Sequence, residues 1–267
     1  MRQEALREEK TEGESFKVAI GYDPEDNPSP LFDYAFCMAQ LLCGEVVVVH
    51  ALENVLNTET AEKEERQIVD GVKKLLSELT NKLPPVPVSI SVIYGKSLES
   101  FAQFVEKEGI KLFAFYYYKK LLGKTLSEEF LQELPTALLV VKDNLKFRPV
   151  KRILVPLDFS SDSLKQKEIV ERLLSCDRGV EVEFLHVMEE EDSTEEEEVR
   201  MLFSELFADM GKFTLLHGEA AELIPDYAKR GNFDLIVVGR VGKGLNIGYG
   251  TVTKKLLEEL KCPLVVV

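Results

Sequence analysis

The stretch KRILVPLDFSSDS, residues 151–163, decides the fold. It opens with a short apolar run that ends in Asp158, a pattern typical of a buried strand. The serines that follow can act as the N-cap of a helix. A second stretch of the same kind, FKVAIGYD, spans residues 16–23 and ends in Asp23. The chain therefore carries two copies of one strand-and-turn pattern.

Three further landmarks follow each copy, in the same order and at near-equal spacing. They are a strand that contains a histidine, a glycine-led helix with the next strand, and a final apolar strand; they begin at residues 46, 94 and 135 in the first copy and at residues 183, 217 and 261 in the second. This repetition predicts an internal duplication. We therefore expect a polar tail, a first domain, a linker and a second domain, with bounds at residues 1–14, 15–142, 143–150 and 151–267.

Apolar runs alternate with amphipathic stretches of helical length, most clearly in the second half. Strands that are apolar on both faces and alternate with helices form parallel βαβ units. The sequence thus predicts an α/β protein of two tandem domains, each a mainly parallel sheet flanked by helices. Such a sheet binds ligands beyond the carboxyl ends of its strands. The final strands, 136–141 and 263–267, would otherwise be exposed edges, so we expect the two halves to pair within one chain.

A glycine-rich loop lies between an apolar strand and a helix in DLIVVGRVGKGLNIGYGTV, residues 234–252. Glycines let backbone amides approach an anion closely, and a helix that opens at Gly250 and Thr251 has a positive amino-terminal end. The Thr251 hydroxyl can cap this helix and donate to a phosphate, and Lys243 offers a counter-charge. The loop predicts an anion site, with a flexible surface loop as the alternative.

Asp158 should lie at the same sheet edge as this loop, because both follow the carboxyl ends of parallel strands. A carboxylate at this place can accept hydrogen bonds from ribose hydroxyls or from an adenine amino group. It can equally cap a helix or stabilise a loop. The position alone favours neither interpretation.

Together these blocks resemble the universal stress protein family over the whole second half. The resemblance rests on ILVPLDFSSDS, LHV, HGEAAELIPDYAKRGNFDLIVVG and the series GRVG…GTV…CPLVVV. It implies a Rossmann-like fold of the adenine nucleotide alpha hydrolase type, with ATP, ADP or AMP as the ligand, with or without Mg²⁺. ATP-binding members carry G-x2-G-x9-G-[ST] after the fourth strand. Here only seven residues separate Gly242 from Gly250, so the loop is two residues shorter.

The resemblance also implies which residues bind the nucleotide. Pro156, Leu157 and Asp158 would line the adenosine site, and Val187 would touch the base. The phosphates and ribose would be held by Gly239, Gly242, Gly250, Thr251 and Val252, and the predicted site includes the loop cations Arg240 and Lys243.

The first half resembles the family more faintly and lacks the glycine loop. Tyr116 stands where the second half has Gly239, and Gly123 is the only glycine of the aligned segment 114–130. Three consecutive tyrosines, residues 116–118, would fill the space that a phosphate needs. We expect this half to be a structural partner; a different ligand that stacks on the rings is the alternative.

The composition of the chain argues against several classes of function. The chain has 33 basic and 47 acidic residues, a net charge of −14, which argues against nucleic-acid binding. No apolar run is long enough to cross a membrane, and the charged residues 1–14 contain no signal-peptide segment. The four cysteines show no CxxC spacing and the three histidines complete no zinc pattern. We expect no metal site, buried reduced thiols and a cytoplasmic protein.

No nucleophile–base set, Walker lysine or arginine finger is visible, so no catalytic residue is predicted. The sequence therefore predicts a regulatory stress-response protein that binds an adenine nucleotide in its second half and hydrolyses it slowly at most. The alternatives are a nucleotide-free interaction scaffold and a slow ATPase. The expected partners are the nucleotide and the other half of the chain, without nucleic acid or membrane, and a homodimer stays open.

Overall fold

The computed structural model of the chain describes residues 15–53, 58–79, 81–118, 125–176, 179–189, 193–241 and 250–267. The predicted site residues Gly242 and Lys243, and Gly123 of the first half, lie outside these described residues. The first half contains β1 (Phe16–Gly21), α1 (Leu31–Leu41), β2 (Gly44–Leu52), α2 (Thr58–Leu79), β3 (Val88–Tyr94), α3 (Leu98–Glu108), β4 (Ile110–Tyr116), α4 (Leu126–Glu133) and β5 (Ala137–Val141). The second half contains β6 (Arg152–Leu157), α5 (Ser161–Cys176), β7 (Glu181–Met188), α6 (Ser193–Phe207), β8 (Lys212–His217), α7 (Ala220–Gly231), β9 (Leu235–Val238), α8 (Thr251–Glu259) and β10 (Leu264–Val266).

The ten strands of the described residues form one sheet, in the order β3-β2-β1-β4-β5-β10-β9-β6-β7-β8. Neighbouring strands are parallel except β5 and β10, which run antiparallel with Leu139 opposite Val265. Each half supplies five strands in the same order, and the halves meet at their last strands. The two final strands thus cover each other within one chain, as the sequence predicts.

Helices cover both faces of this sheet and bury its apolar side chains in two layers. Helices α1, α2, α5 and α6 pack on one face, with Val18 and Ile20 of β1. Helices α3, α4, α7 and α8 pack on the other, with Ala19. Both layers run across the two halves. Among the described helices, none combines the length and apolarity that crossing a membrane requires.

The duplicated sequence folds with the same hydrogen bonds in both halves. His50 Nδ1 lies 2.9 Å from the Tyr22 carbonyl oxygen, and His186 Nδ1 lies 2.8 Å from the Leu157 carbonyl oxygen. Each histidine therefore ties the second strand of its half to the end of the first. This agrees with a structural role for both side chains.

A second repeated bond aligns the two halves at the glycine loop. In the first half the N–H of Tyr117, one residue past β4, donates to the carbonyl of Val141 at the end of β5 at 2.9 Å. In the second half the N–H of Arg240, two residues past the shorter β9, donates to the carbonyl of Val267, just past β10, at 2.8 Å. The preceding residues, Tyr116 and Gly239, are therefore structural counterparts.

The prediction of four buried reduced thiols is wrong for two of the cysteines. Cys43 and Cys176 form a disulfide, with Cα atoms 5.7 Å apart, whereas Cys37 and Cys262 are buried and take no part in a disulfide among the described residues. Cys43 follows α1 and Cys176 ends α5, two helices on the same face of the sheet, so the bond joins the two halves. The partners are 133 residues apart in the sequence, and only the pairing of the halves brings them together.

Candidate functional site

A cavity of about 610 Å³ opens at the carboxyl ends of β6 and β9. In the sheet, β6 lies between β7, the next strand of the chain, and β9. The direction in which successive strands are added to the sheet therefore reverses between β6 and β9. Open α/β sheets bind ligands at such a switch point. The cavity volume lies in the range of small-molecule and cofactor sites.

Eight of the predicted site residues line this cavity. They are Pro156, Leu157, Asp158, Val187, Gly239, Gly250, Thr251 and Val252. The fold thus brings together the end of the first strand of the second half, the end of its second strand, and the two ends of the glycine loop.

Asp158 stabilises the turn into α5 and also lines the cavity. Its Oδ1 accepts hydrogen bonds from the Ser160 N–H at 2.9 Å and from the Ser163 hydroxyl at 3.2 Å, which shapes the turn into α5. The same side chain lines the cavity. The turn therefore holds the carboxylate at the cavity wall.

The amino-terminal end of α8 opens onto the cavity, and among the described residues no side chain caps it. Its N-cap residue is Gly250, which has no side chain to accept the first helical N–H groups. Thr251 is the first helical residue rather than the cap, and it is exposed. The Thr253 hydroxyl donates to the Gly239 carbonyl at 2.9 Å, and this bond fixes the helix start against the end of β9.

Gly239 is required by packing against α5. A Cβ at this position would lie 2.9 Å from the Cβ of Asp162, so the backbone leaves no room for a side chain. The buried Asp162 carboxylate accepts from the Val241 N–H at 3.0 Å and from Lys165 Nζ at 2.8 Å. Asp162 thereby holds the beginning of the glycine loop against α5.

The side chain of Arg240 does not lie among the cavity residues. Its Nη1 and Nη2 donate to the carbonyl oxygens of Leu134 and Thr136, both at 2.9 Å, between α4 and β5 of the first half. Burial lowers the pKa of the guanidinium, and the neighbouring Asp162 carboxylate opposes this. The side chain therefore joins the two halves, and its predicted place in the nucleotide site needs correction.

Gln166 is a cavity residue that the sequence analysis missed. Its buried amide Nε2 donates to the carbonyl oxygens of Pro156 and Val237, at 2.8 and 2.9 Å. The amide thus bridges β6 and β9 at the switch point. A glutamine on the buried side of α5, one turn before Ile169 and Val170, was the available signal.

Two acidic cavity residues were also missed, Glu189 and Glu219. In the first half the corresponding residues are Glu53 and Lys96. They directly follow Leu52 and Gly95, whose backbone hydrogen bond is equivalent to the one between Met188 and Gly218 in the second half. Lys96 Nζ lies 2.9 Å from Asp23 Oδ2 and 3.1 Å from Glu53 Oε1. By contrast, the described lining of the cavity in the second half contains carboxylates and neither lysine nor arginine.

The corresponding cavity of the first half has about half the volume, about 320 Å³. The Tyr116 hydroxyl donates to the Asn27 carbonyl at 2.8 Å and accepts from the Leu31 N–H at 3.2 Å. The Tyr118 hydroxyl donates to the Asp26 carboxylate at 2.8 Å. Burial raises the pKa of Tyr116 to about 12, so the ring stays uncharged. Both rings line this smaller cavity.

The start of α4, which corresponds to the start of α8, is closed by its own side chains. The Thr125 hydroxyl accepts from the Glu128 N–H at 3.2 Å, and the Glu128 carboxylate accepts from the Thr125 N–H at 2.7 Å. This reciprocal capping box uses donors that would otherwise face the cavity. It also places the Glu128 carboxylate in the first turn of α4.

The strand order, the switch-point cavity and the repeated half define the class of protein: an α/β protein of two Rossmann-like halves joined into one sheet. Residues 149–267 match the universal stress protein family. The likeness to this family therefore lies in the second half of the chain, and the first half repeats the fold.

Solved structures extend this likeness over nearly the whole chain. A universal stress protein from Archaeoglobus fulgidus DSM 4304 is 15% identical and covers 95% of this chain and 98% of its own, with a TM-score of 0.68. A protein from Pseudomonas aeruginosa UCBPP-PA14, provisionally described as a universal stress protein, is 18% identical and covers 95% of this chain and 92% of its own, with a TM-score of 0.64. These likenesses establish the fold of both halves. No curated protein matches the sequence.

Proposed function

We propose that the cavity of the second half binds ATP or a related adenine nucleotide, ADP or AMP, one per chain, and that this binding serves a regulatory role in the cytoplasmic stress response. The carrying observation is the uncapped start of α8 beside Gly239 and Gly250 at the switch point of the second half. A helix start whose first N–H groups have no side-chain cap, as is the case here within the described part of the chain, favours a phosphate through its donors and through the helix dipole.

The rest of the cavity suits the other parts of a nucleotide. Its wall is mainly apolar, with Leu157, Val187 and Ile224 available to contact a base. The Asp158 carboxylate, which follows the end of β6, can accept hydrogen bonds from ribose hydroxyls. Adenine and ribose would then lie against the ends of β6 and β7, with the phosphates toward the helix.

Any Mg²⁺ in this proposal arrives with the nucleotide. Within the described residues, no group of three or more histidine, cysteine or acidic side chains is arranged to hold a metal ion. The carboxylates of Asp158, Glu189 and Glu219 line the cavity and can contribute one oxygen each to an ion already bound to phosphates. A bound magnesium ion would also reduce their repulsion of a polyphosphate.

The cavity supports binding better than rapid hydrolysis. Phosphoryl transfer depends on positive charges positioned around the transferred group. The described lining supplies acidic residues and the imidazole of His186, with neither lysine nor arginine. We therefore propose that the bound nucleotide is a regulatory signal rather than a rapidly consumed substrate.

A charge change at the start of α8 tests this proposal. Thr251 is exposed, and an aspartate in the first turn of a helix stabilises it, so Thr251→Asp should fold normally. It should nevertheless weaken ATP binding at least about 30-fold, because a carboxylate would face the phosphates. Calorimetric titration of the full chain measures the affinity.

Thr251→Asn is the matched control for this variant. It has nearly the same size as aspartate, keeps a hydrogen-bond donor and carries no charge, so ATP affinity should stay within about tenfold of the wild-type value. Equal affinities of the two variants would place the phosphates away from α8. A stoichiometry near two nucleotides per chain would contradict a single site in the second half. Either result would overturn the proposal.

A further inference from the structure

The disulfide between Cys43 and Cys176 is a covalent bond between the two halves of the chain. Cys43 belongs to the turn between α1 and β2, and Cys176 is the last residue of α5. Their Cα separation of 5.7 Å is within the range that a disulfide requires. Each half thus supplies one sulfur.

This pair differs in accessibility from the other two cysteines. Cys43 is exposed and Cys176 is half-buried at the surface. Cys37 and Cys262 are buried, and burial raises the pKa of the Cys262 thiol to about 12, which keeps it protonated and unreactive. A dissolved thiol can therefore reach the cross-link without reaching the other sulfurs.

A positive charge lies next to the pair. Arg172 is one helical turn before Cys176, and its Nε donates at 2.9 Å to the carbonyl oxygen of Leu42, the residue before Cys43. Its guanidinium also lies over the Phe16 ring, 5.8 Å from the ring centroid. A nearby cation favours the thiolate form of cysteine, which is the form that exchanges with disulfides.

We infer that Cys43 and Cys176 form a reversible thiol–disulfide exchange site, at which low-molecular-weight thiols decide whether the two halves are covalently joined. Reduction begins when a thiolate attacks the sulfur of Cys43, the more exposed of the two residues. The bond between the two cysteine sulfurs breaks, and Cys176 leaves as a thiolate that takes up a proton. A second thiolate then attacks the mixed disulfide on Cys43 and releases the Cys43 thiolate, which is protonated, and a low-molecular-weight disulfide.

The balance is one protein disulfide and two thiols giving two protein thiols and one low-molecular-weight disulfide. Two electrons pass from the small thiols to the protein, and oxidation is the reverse with a low-molecular-weight disulfide as the oxidant. The exchange does not depend on nucleotide binding, so it stands or falls separately from the proposed function.

The test equilibrates the full chain in glutathione buffers from fully reducing to fully oxidising, without denaturant, and traps free thiols with N-ethylmaleimide for intact mass measurement. We expect two N-ethylmaleimide adducts per chain under reducing conditions and none under oxidising conditions. As the buffer becomes more oxidising, the two adducts should disappear together in one transition. Tryptic peptides of the oxidised chain should contain Cys43 joined to Cys176. The thermal midpoint should rise by roughly 5–15 °C on oxidation, because the cross-link restricts the unfolded chain.

Single variants identify the sulfurs. Cys176→Ser should collect a mixed disulfide with glutathione at Cys43, whereas Cys37→Ala should keep the two-adduct transition of the wild-type chain. Adducts that appear only after denaturation would show a buried structural cross-link and overturn the inference. So would thiols that stay reduced in the most oxidising buffer.

Discussion

Helices α4 and α8 occupy the same place in two copies of one fold, yet their amino-terminal ends satisfy their N–H groups differently. At α4, Thr125 and Glu128 cap the helix, and the adjoining cavity, which Tyr116 and Tyr118 line, has about half the volume of its counterpart. At α8, Gly250 offers no cap and the cavity stays open. A helix start can therefore be stabilised by its own side chains or be left available for an anion. Duplication lets one chain do both.

The largest expected effect comes from Arg240, which stands beside the open cavity but serves the junction of the halves. Arg240→Met should lower the free energy of unfolding by about 2–4 kcal/mol, because two charge-assisted hydrogen bonds to Leu134 and Thr136 are lost. ATP affinity should remain unchanged, since the side chain lies outside the cavity lining. Denaturant unfolding and calorimetry measure the two quantities.

Arg230→Met is the control for the loss of one positive charge. The Arg230 side chain is 83% exposed, so its removal should change stability by less than about 0.5 kcal/mol. A large loss of ATP affinity in Arg240→Met, with stability kept, would instead return Arg240 to the nucleotide site.

The second difference lies in β7, where Glu183 stands three residues before His186 and the first half has the apolar Val47 three residues before His50. The buried Glu183 carboxylate accepts from Tyr227, from Lys212 at 2.9 Å and from Thr214 at 2.7 Å. Burial raises its pKa, but these hydrogen bonds outweigh burial, and the net pKa lies below the usual value.

Glu183→Gln should therefore destabilise the chain by about 1–3 kcal/mol at neutral pH. Because the folded-state pKa is depressed, this stabilisation is present above the unfolded value of about 4.3 and is lost as the pH falls through the folded value. Unfolding measured from pH 7 to pH 3 should show the two chains converging in acid. A difference that is independent of pH would mean that the charge of Glu183 contributes nothing.

The smallest effect should come from opening the capped helix. Glu128→Ala removes one side of the capping box of α4 and should cost about 0.5–1 kcal/mol of stability. It should not create a second nucleotide site, because Tyr116 and Tyr118 still line the smaller cavity, about 320 Å³, and leave a phosphate less room. Glu129→Ala removes an acidic residue from the same helical turn without touching the box, so the difference between the two variants isolates the cap. A second ATP bound to Glu128→Ala would contradict the account.

The strands could be predicted from the sequence because they are apolar on both faces and end in recognisable residues. The run before Asp158 and the run before Asp23 became β6 and β1, and the two final runs became the antiparallel pair β5 and β10. These patterns are local, and the duplication indicates which segments of the two halves correspond.

The rest of the site depends on contacts between distant segments. Gln166 gains its role because α5 passes under two strand ends that are far apart in the chain. Arg240 turns to the first half because the carbonyl oxygens of Leu134 and Thr136, between α4 and β5, accept its hydrogen bonds there. The Cys43–Cys176 bond follows from the packing of α1 and α5 on one face. No local pattern encodes these three arrangements.

Hydrogen exchange of backbone amides, with and without ATP, tests the central comparison most directly. The first-turn amides of α8, residues 251–253, have no side-chain cap, whereas those of α4, residues 126–128, adjoin the capping box. The account predicts that ATP slows exchange at residues 251–253 and leaves residues 126–128 unchanged. Slower exchange at residues 126–128, or no change at residues 251–253 under saturating ATP, would contradict it.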